Sequence, residues 1–242
     1  MILKDKKEKK MKVFFNIKKV FCIGVFFLLA LAGAELSACS EKEDRTRPMK
    51  LLVYGDSLSA GYQLASEDSF ASKLAEALYK KGYVRLTVLQ MSVSGETTSG
   101  GLKRLPSALE QKPDAVLLEL GVNDFLRQLP LSQARENLAE MIETFQKNGI
   151  KVFLIGMKTP SVFPISRKDD LSEMYEALSE KYGVPLYPFF MEGVFPAGGF
   201  VLNGGLPLEN LQSDGVHPSK KGVEIMVRNI LPAVMNFLKE IP

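Results

Sequence analysis

The sequence predicts an α/β fold, a three-layer sandwich in which a central five-stranded parallel sheet lies between two layers of helices. Three observations lead to this prediction: the chain holds five short apolar runs, each run is continuously apolar instead of alternating, and segments with helical periodicity separate them. Continuous apolar runs are typical of strands that are buried on both faces. Alternation of strands with helices favours right-handed crossovers, which place neighbouring strands parallel.

The predicted strands are residues 49–54, 85–91, 114–120, 150–156 and 184–187. The helices between them are predicted from apolar positions that recur every three or four residues and from their end signals. The first helix has Asp68 or Ser69 as its N-cap and Gly82 as its stop. The second has Ser132 as its N-cap and Gly149 as its stop.

Two further helices complete the predicted domain. One ends at Gly183, and the last covers residues 219–241. A break is expected at Pro232, because proline lacks the N–H that a helix interior uses. The absence of an internal repeat in the sequence favours one domain, residues 49–242.

The first 38 residues are predicted to be a lipoprotein signal peptide. Lysines dominate residues 1–19, and the apolar run at 20–34 is shorter than the roughly 20 residues of a membrane span. The motif LSAC that follows resembles the bacterial lipobox, which implies that Cys39 is lipidated and becomes the new N-terminus. An ordinary cleaved signal peptide and an uncleaved anchor are the alternatives, and Met11 is a second candidate for the start.

Residues 39–48 are then the lipidated cysteine and a charged tether. This organisation predicts an exported protein of the bacterial cell envelope, anchored to a membrane on its periplasmic or surface side. Residues 1–38 carry eight lysines and three acidic residues, a net of +5, whereas the whole chain is +3, so the remainder is −2. Because no basic surface is left, nucleic acid is not an expected partner.

Candidate site residues follow the predicted strands at the edge where open parallel sheets bind ligands. Ser57 follows the first strand, Gly95 the second and Asn123 the third. Asp214 and His217 precede the last helix. Singly, each of these residues has a structural explanation, such as a helix cap or a turn. Together, at the ends of successive strands, they favour a catalytic site.

His217 is the only histidine of the chain, so any serine chemistry here must use it as the general base. Asp214 lies three residues earlier, and one turn can hold the two side chains together. Ser57 is expected at the start of a helix, where it can serve as cap and nucleophile alike.

Four ordered blocks resemble those of the SGNH, or GDSL, hydrolases. They are GDSLSAGY, which contains Ser57, SGET with Gly95, GVND with Asn123, and DGVHP with Asp214 and His217. Within this family the chain is most similar to the bacterial multifunctional esterase–thioesterase–lysophospholipases and the arylesterases. The resemblance extends over nearly the whole predicted domain and implies a flavodoxin-like sheet.

The resemblance also implies roles for these residues. Ser57 would be the nucleophile, His217 the base and Asp214 the residue that orients the imidazole. The oxyanion hole would consist of the backbone N–H groups of Ser57 and Gly95 and the side-chain amide of Asn123. The implied activity is hydrolysis of carboxylic acyl esters, with aryl esters, thioesters or lysophospholipids as substrates. No metal or organic cofactor is implied.

Two other functions remain open at this point. The same fold hosts esterases that remove O-acetyl groups from carbohydrate or peptidoglycan, and a non-catalytic envelope binding lipoprotein is the alternative outside the enzymes. Val122 stands where many relatives have glycine, which puts substrate preference in question. Residues 159–167, with Val162, Phe163 and Ile165, and the glycine-rich residues 196–213 are candidate walls of an acyl pocket or ordinary loop residues.

Overall fold

The computed structural model describes residues 48–159, 170–195 and 209–241. The expected signal peptide, Cys39 and nearly all of the tether lie outside these residues, so they remain predictions. The candidate pocket residues Val162, Phe163 and Ile165 also lie outside them. Within the described part of the chain, no helix is both long and apolar enough to cross a bilayer.

A five-stranded sheet forms the centre of the domain, and every pair of neighbouring strands is parallel. The strands are β1 (Met49–Gly55), β2 (Leu86–Gln90), β3 (Ala115–Glu119), β4 (Lys151–Ile155) and β5 (Leu186–Tyr187). Their order across the sheet is β2-β1-β3-β4-β5. All five residues of the central strand β3 are buried, as a strand covered on both faces requires. The predicted sheet is confirmed.

Helices follow the strands and cover both faces of the sheet. They are α1 (Ser57–Ala60), α2 (Phe70–Lys80), α3 (Thr98–Glu110), α4 (Val122–Leu126), α5 (Leu131–Lys147), α6 (Asp170–Tyr182) and α7 (Lys220–Lys239). Ser69 caps α2 as expected, since its hydroxyl accepts the N–H of Ser72 at 3.3 Å. Ser132 is not the cap of α5, because that helix begins one residue earlier, after Pro130.

One helix was not predicted, and one expectation about a helix was wrong. The sequence did not indicate α3, because Gly100, Gly101 and Pro106 weaken its helical signal. A Cβ on Gly101 would lie 2.4 Å from the Leu120 side chain, so this glycine permits close packing of α3 on the sheet. The helix α7 also continues through Pro232 without the expected break. The carbonyl that loses its partner there belongs to the exposed Arg228, where water can replace the missing N–H.

The core has two halves, one on each side of the sheet. On one side α2 packs against α7, and Phe153 of β4 contacts Phe237 of α7 with ring centroids 5.2 Å apart. On the other side α5 packs against α3 and α6, and Tyr54 of β1 contacts Phe145 of α5. Because both faces are covered, the open edge at the carboxyl ends of the strands is where functional groups can gather.

Candidate active site

The turn after β1 presents Ser57 at the carboxyl edge of the sheet. Asp56 is the N-cap of α1, because its Oδ1 accepts the backbone N–H of Leu58 at 3.0 Å. Ser57 is therefore the first residue of α1 and not its N-cap. The expectation that Ser57 also caps the helix was wrong. Since Asp56 caps the helix, the Ser57 hydroxyl is left for another partner.

That partner is the imidazole of His217, whose Nε2 lies 3.0 Å from Ser57 Oγ. On the far side of the ring, Nδ1 lies 2.7 Å from Oδ2 of Asp214. The other carboxylate oxygen of Asp214 accepts the backbone N–H groups of Val216 and His217 at 2.9 and 3.0 Å. The short DGVHP turn thus supplies both the ring and the group that orients it.

Asp214 remains a carboxylate in this arrangement. Partial burial acts to raise its pKa, but the two backbone N–H donors and the imidazole outweigh burial, and the pKa lies below its ordinary value. A charged carboxylate accepts the Nδ1–H of the ring, and the lone pair of Nε2 then faces Ser57. This tautomer is the one a general base needs.

Two residues that the sequence did not single out hold the imidazole in place. The ring of Tyr62 packs against His217 with centroids 4.5 Å apart. Gln212 donates from Nε2 to the carbonyl oxygens of Tyr62 and Pro218 at 2.7 and 3.0 Å. These contacts tie the loop that carries His217 to the helix end that follows Ser57. The GDSLSAGY block contains Tyr62, but nothing in the sequence pairs it with a histidine 155 positions later.

Gly95 lies in the loop after β2, and Asn123 lies in the short helix after β3. Gly95 has φ +77°, a conformation that favours glycine, and so its backbone can lie close to a ligand. Asn123 is in α4, and its Nδ2 donates one hydrogen bond to Oδ2 of Asp56 at 2.9 Å. Asp56 therefore caps the helix that begins with Ser57 and orients the Asn123 amide, leaving the second N–H of that amide for another acceptor.

A buried network ties the loop of Gly95 to the helix of Asn123. Both carboxylate oxygens of Asp124 accept hydrogen bonds from Thr98, one from its backbone N–H at 2.8 Å and one from its hydroxyl at 2.7 Å. Asn137 of α5 donates to the same hydroxyl at 2.9 Å. The start of α3 is thus fixed against α4, which sets the separation of Gly95 and Asn123.

A further buried carboxyl, that of Glu119, lies beneath the turn that carries Ser57. Its Oε2 accepts the backbone N–H of Asp56 at 3.2 Å and the hydroxyl of Ser59 at 2.7 Å. Burial raises the pKa of Glu119 well above its ordinary range, and the negative charge of Asp56 raises it further. Burial also raises the pKa of Asp56, to about 7, although the hydrogen bonds from Leu58 and Asn123 act to lower it. Glu119 is thereby favoured as a neutral acid.

Replacement of Glu119 by Gln is expected to make stability less sensitive to pH. A carboxyl whose pKa is raised in the folded state keeps a proton that the unfolded chain loses, so stability falls as pH rises from about 4. For Asp56 this loss is complete above pH 7, and for Glu119 it extends higher. Gln keeps an acceptor for Asp56 and Ser59 without a charge. The difference in Tm, variant minus wild type, should be near zero at pH 4 and positive at pH 8.

Thermal unfolding from pH 4 to 8 measures this difference, with Glu110→Gln on the exposed end of α3 as the matched control. A variant destabilised equally at every pH would show that Glu119 is required as a charged acceptor. In that case the raised pKa would not describe the folded protein.

The site opens into an apolar cavity. Ser57, Asn123 and His217 lie at its polar end. The remaining lining residues are apolar, and they are Leu58, Val122, Leu126, Met157, Met191, Phe195 and Val216. Val122 therefore faces the ligand space, where its side chain forms part of the apolar lining.

The structure brings together the five residues that the sequence singled out at the sheet edge. Ser57, His217 and Asp214 form one hydrogen-bonded chain, and Asn123 lines the same cavity. Gly95 lies on the adjoining loop, whose Val93 donates its N–H to the carbonyl of Gly55 at 3.0 Å. The arrangement places a hydroxyl, an imidazole and a side-chain amide at the polar end of an apolar cavity.

Comparison with known proteins identifies similar sequences. A model of the GDSL-like lipase/acylhydrolase family matches residues 53–225. An arylesterase of Vibrio mimicus is 41% identical over 172 residues, which is 71% of this chain and 83% of the relative. Esterase TesA of Pseudomonas aeruginosa is 35% identical over 189 residues, 78% of this chain and 89% of the relative.

Solved structures agree with the sequence matches. The crystal structure of TesA superposes with a TM-score of 0.70 at 35% identity and covers 78% of this chain and 99% of that one. The esterase EstA from Pseudoalteromonas, in a crystal structure inhibited by monoethylphosphonate, superposes with a TM-score of 0.70 at 28% identity. This match covers 79% of this chain and 99% of EstA. The resemblance noted in the four sequence blocks is thus confirmed. The chain belongs to the GDSL-like lipase/acylhydrolase family and is a carboxylic ester hydrolase of the SGNH type.

Proposed function

We propose that Ser57, His217 and Asp214 are a catalytic triad that hydrolyses acyl esters through an acyl-enzyme. The observation that carries the proposal is the continuous hydrogen-bonded chain from Ser57 Oγ to the Asp214 carboxylate, 3.0 and 2.7 Å in its two steps, at the polar end of an apolar cavity. Nucleophile, base and orienting acid in this order suit acyl transfer.

In the first half-reaction Ser57 Oγ attacks the carbonyl carbon of the ester while its proton moves to Nε2 of His217. The carbonyl oxygen becomes an oxyanion. When the tetrahedral intermediate collapses, the leaving alcohol or thiol takes the proton from Nε2, and the acyl group stays on Ser57. A water molecule repeats the sequence, releases the carboxylic acid and restores the serine.

The oxyanion would be stabilised by three donors: the backbone N–H groups of Ser57 and Gly95 and the free N–H of the Asn123 amide. The hydrogen bond from Asn123 to Asp56 fixes this amide before the substrate arrives. Donors held in place need no reorganisation as charge develops, and each is worth about 10²–10³ in kcat.

The cavity supports an acyl chain as the group that is bound. Beyond the polar end, the lining consists of aliphatic, aromatic and methionine side chains. Among the residues that the structure describes, this part of the cavity has no polar side chain that could bind the hydroxyls of a sugar. We therefore propose short- to medium-chain acyl esters as substrates, including aryl esters, thioesters or lysophospholipids. The names of the relatives, arylesterase and thioesterase 1/protease 1/lysophospholipase L1, are compatible with this range.

A chain-length series of p-nitrophenyl esters, with the purified full chain, tests the substrate proposal. We expect kcat/KM to rise from acetate to at least butyrate, because each added methylene enters the apolar cavity and contributes about 0.8 kcal/mol of burial. A carbohydrate O-acetyl esterase would instead prefer acetate. A binding protein would show no turnover and no labelling of Ser57 by a fluorophosphonate.

We further propose that the enzyme acts at the cell envelope, anchored through a lipid on Cys39. The support is the position of the LSAC motif directly after an apolar run with a basic flank. Two or more acyl chains on one cysteine would hold the domain stably at a bilayer. Metabolic labelling with a fatty-acid analogue, lost in Cys39→Ala, is the expected result, and equal labelling of both proteins would contradict it.

A further inference from the structure

Arg127 connects the loop that contains Gly95 to the helix that contains Asn123. It is the residue directly after α4, and its backbone N–H donates to the carbonyl of Asn123 at 3.0 Å. Its guanidinium reaches across to the neighbouring loop, where Nη2 donates to the carbonyl of Gly95 at 2.5 Å. One residue therefore contacts both peptide segments of the proposed oxyanion hole.

We propose that Arg127 is a positioning residue of the oxyanion hole, which holds Gly95 at a fixed orientation relative to Asn123. The proposal rests on the function proposed above. Glycine has the largest conformational freedom in the unfolded chain, so a glycine donor needs external restraint to be preorganised. A hydrogen bond from a cation to its carbonyl is about twice as strong as a neutral one and restrains the residue well.

The guanidinium also lies against Gly95, since a Cβ built on this residue would be 3.4 Å from Nη2 of Arg127, an ordinary van der Waals separation. Glycine at this position is favoured by its φ of +77°, which side-chain-bearing residues rarely adopt. The planar guanidinium with its fork of donors suits this contact better than a lysine ammonium.

The acidic residue next to Gly95 does not compete with its carbonyl for the guanidinium of Arg127. Glu96, the next residue along the chain, is engaged by Arg104, whose Nε donates to Oε2 of Glu96 at 2.6 Å. Arg104 also donates to the carbonyl of Met91 and, at 3.4 Å, to that of Gly55. Both arginines therefore contact the segment around Gly95, Arg104 with a largely buried side chain and Arg127 as an exposed residue.

Kinetics of Arg127→Met and Arg127→Lys test the proposal, with Arg228→Met on the exposed face of α7 as the matched control. We expect Arg127→Met to lower kcat by about 10-fold or more, less than the 10²–10³ for removal of a donor itself. KM should change by less than about 2-fold, because the restraint acts only when the oxyanion forms. Arg127→Lys should keep part of the activity, and the control should match wild type.

Two further readouts separate positioning from general stability. The affinity for a boronic acid, which becomes tetrahedral when Ser57 Oγ adds to its boron, should fall in parallel with kcat. The Tm and the acid limb of the pH profile should stay those of wild type. An unchanged kcat would overturn the proposal. The proposal would also be overturned if Arg127→Met raised KM for anionic esters and left kcat unchanged, because Arg127 would then bind the substrate's charge.

Amide hydrogen exchange of residues 92–97 tests the restraint without reference to activity. Arg127→Met should speed exchange in this loop, and equal rates in variant and wild type would overturn the proposal even if the enzyme assay fails. Ser57→Ala in the same kinetic series shows separately whether turnover depends on the proposed nucleophile. Failure of the function and failure of the positioning role are thereby distinguishable.

Discussion

Ser57→Ala is expected to lower kcat/KM for p-nitrophenyl butyrate by roughly 10⁴-fold or more, as removal of the nucleophile does in serine hydrolases. The hydroxyl lies 3.0 Å from Nε2 of His217 and is the only atom that the substitution removes at the site. Because Asp56 caps α1 and Ser57 does not, the helix should keep its start. Steady-state kinetics of the purified variant, at substrate concentrations on both sides of KM, measure the loss.

Labelling with a fluorophosphonate provides an independent readout, since only a nucleophilic serine beside a base forms the covalent adduct. The labelled peptide should contain Ser57, and the label should be absent from Ser57→Ala. Ser107→Ala on the exposed surface of α3 is the matched control and should behave as wild type in both assays. Retention of more than about a tenth of the activity in Ser57→Ala would exclude the acyl-enzyme mechanism.

Asp214→Asn is expected to lower kcat by about 10³–10⁴-fold while leaving the loop intact. The Asn side-chain oxygen can still accept the N–H groups of Val216 and His217, which are 2.9 and 3.0 Å from Oδ1 in the native turn. Its amide, however, would face Nδ1 and donate to it. The ring would then carry its proton on Nε2, where it can no longer accept the proton of Ser57.

Asp114→Asn is the matched control, because Asp114 lies at the opposite edge of the sheet and accepts the N–H of Lys50 at 2.7 Å, a role that Asn can keep. Asp214→Ala should lose both activity and stability, since it removes the acceptor of two backbone hydrogen bonds. Near-native kcat in Asp214→Asn with an unchanged Tm would show that the carboxylate only shapes the turn.

Most of the fold could be predicted from the sequence, because it depends on local patterns. A strand buried on both faces needs a continuous apolar run, and all five runs became strands of the parallel sheet. The errors arose where packing overrides local preference. Helix α3 tolerates Gly101 because Leu120 at the end of the sheet lies too close for a side chain there. Helix α7 passes Pro232, and the carbonyl that loses its partner belongs to the exposed Arg228.

The sequence by itself determined which residues gather at the sheet edge, since each of the four blocks follows a strand or precedes the last helix. It did not indicate how those residues are held. Asn123 donates to Asp56 across 67 positions, Ser59 to Glu119 across 60, and Arg127 to Gly95 across 32. Hydrogen bonds between residues so far apart leave no periodic pattern in the chain. Only the tertiary structure decides them, because parallel strands bring distant turns together at one edge.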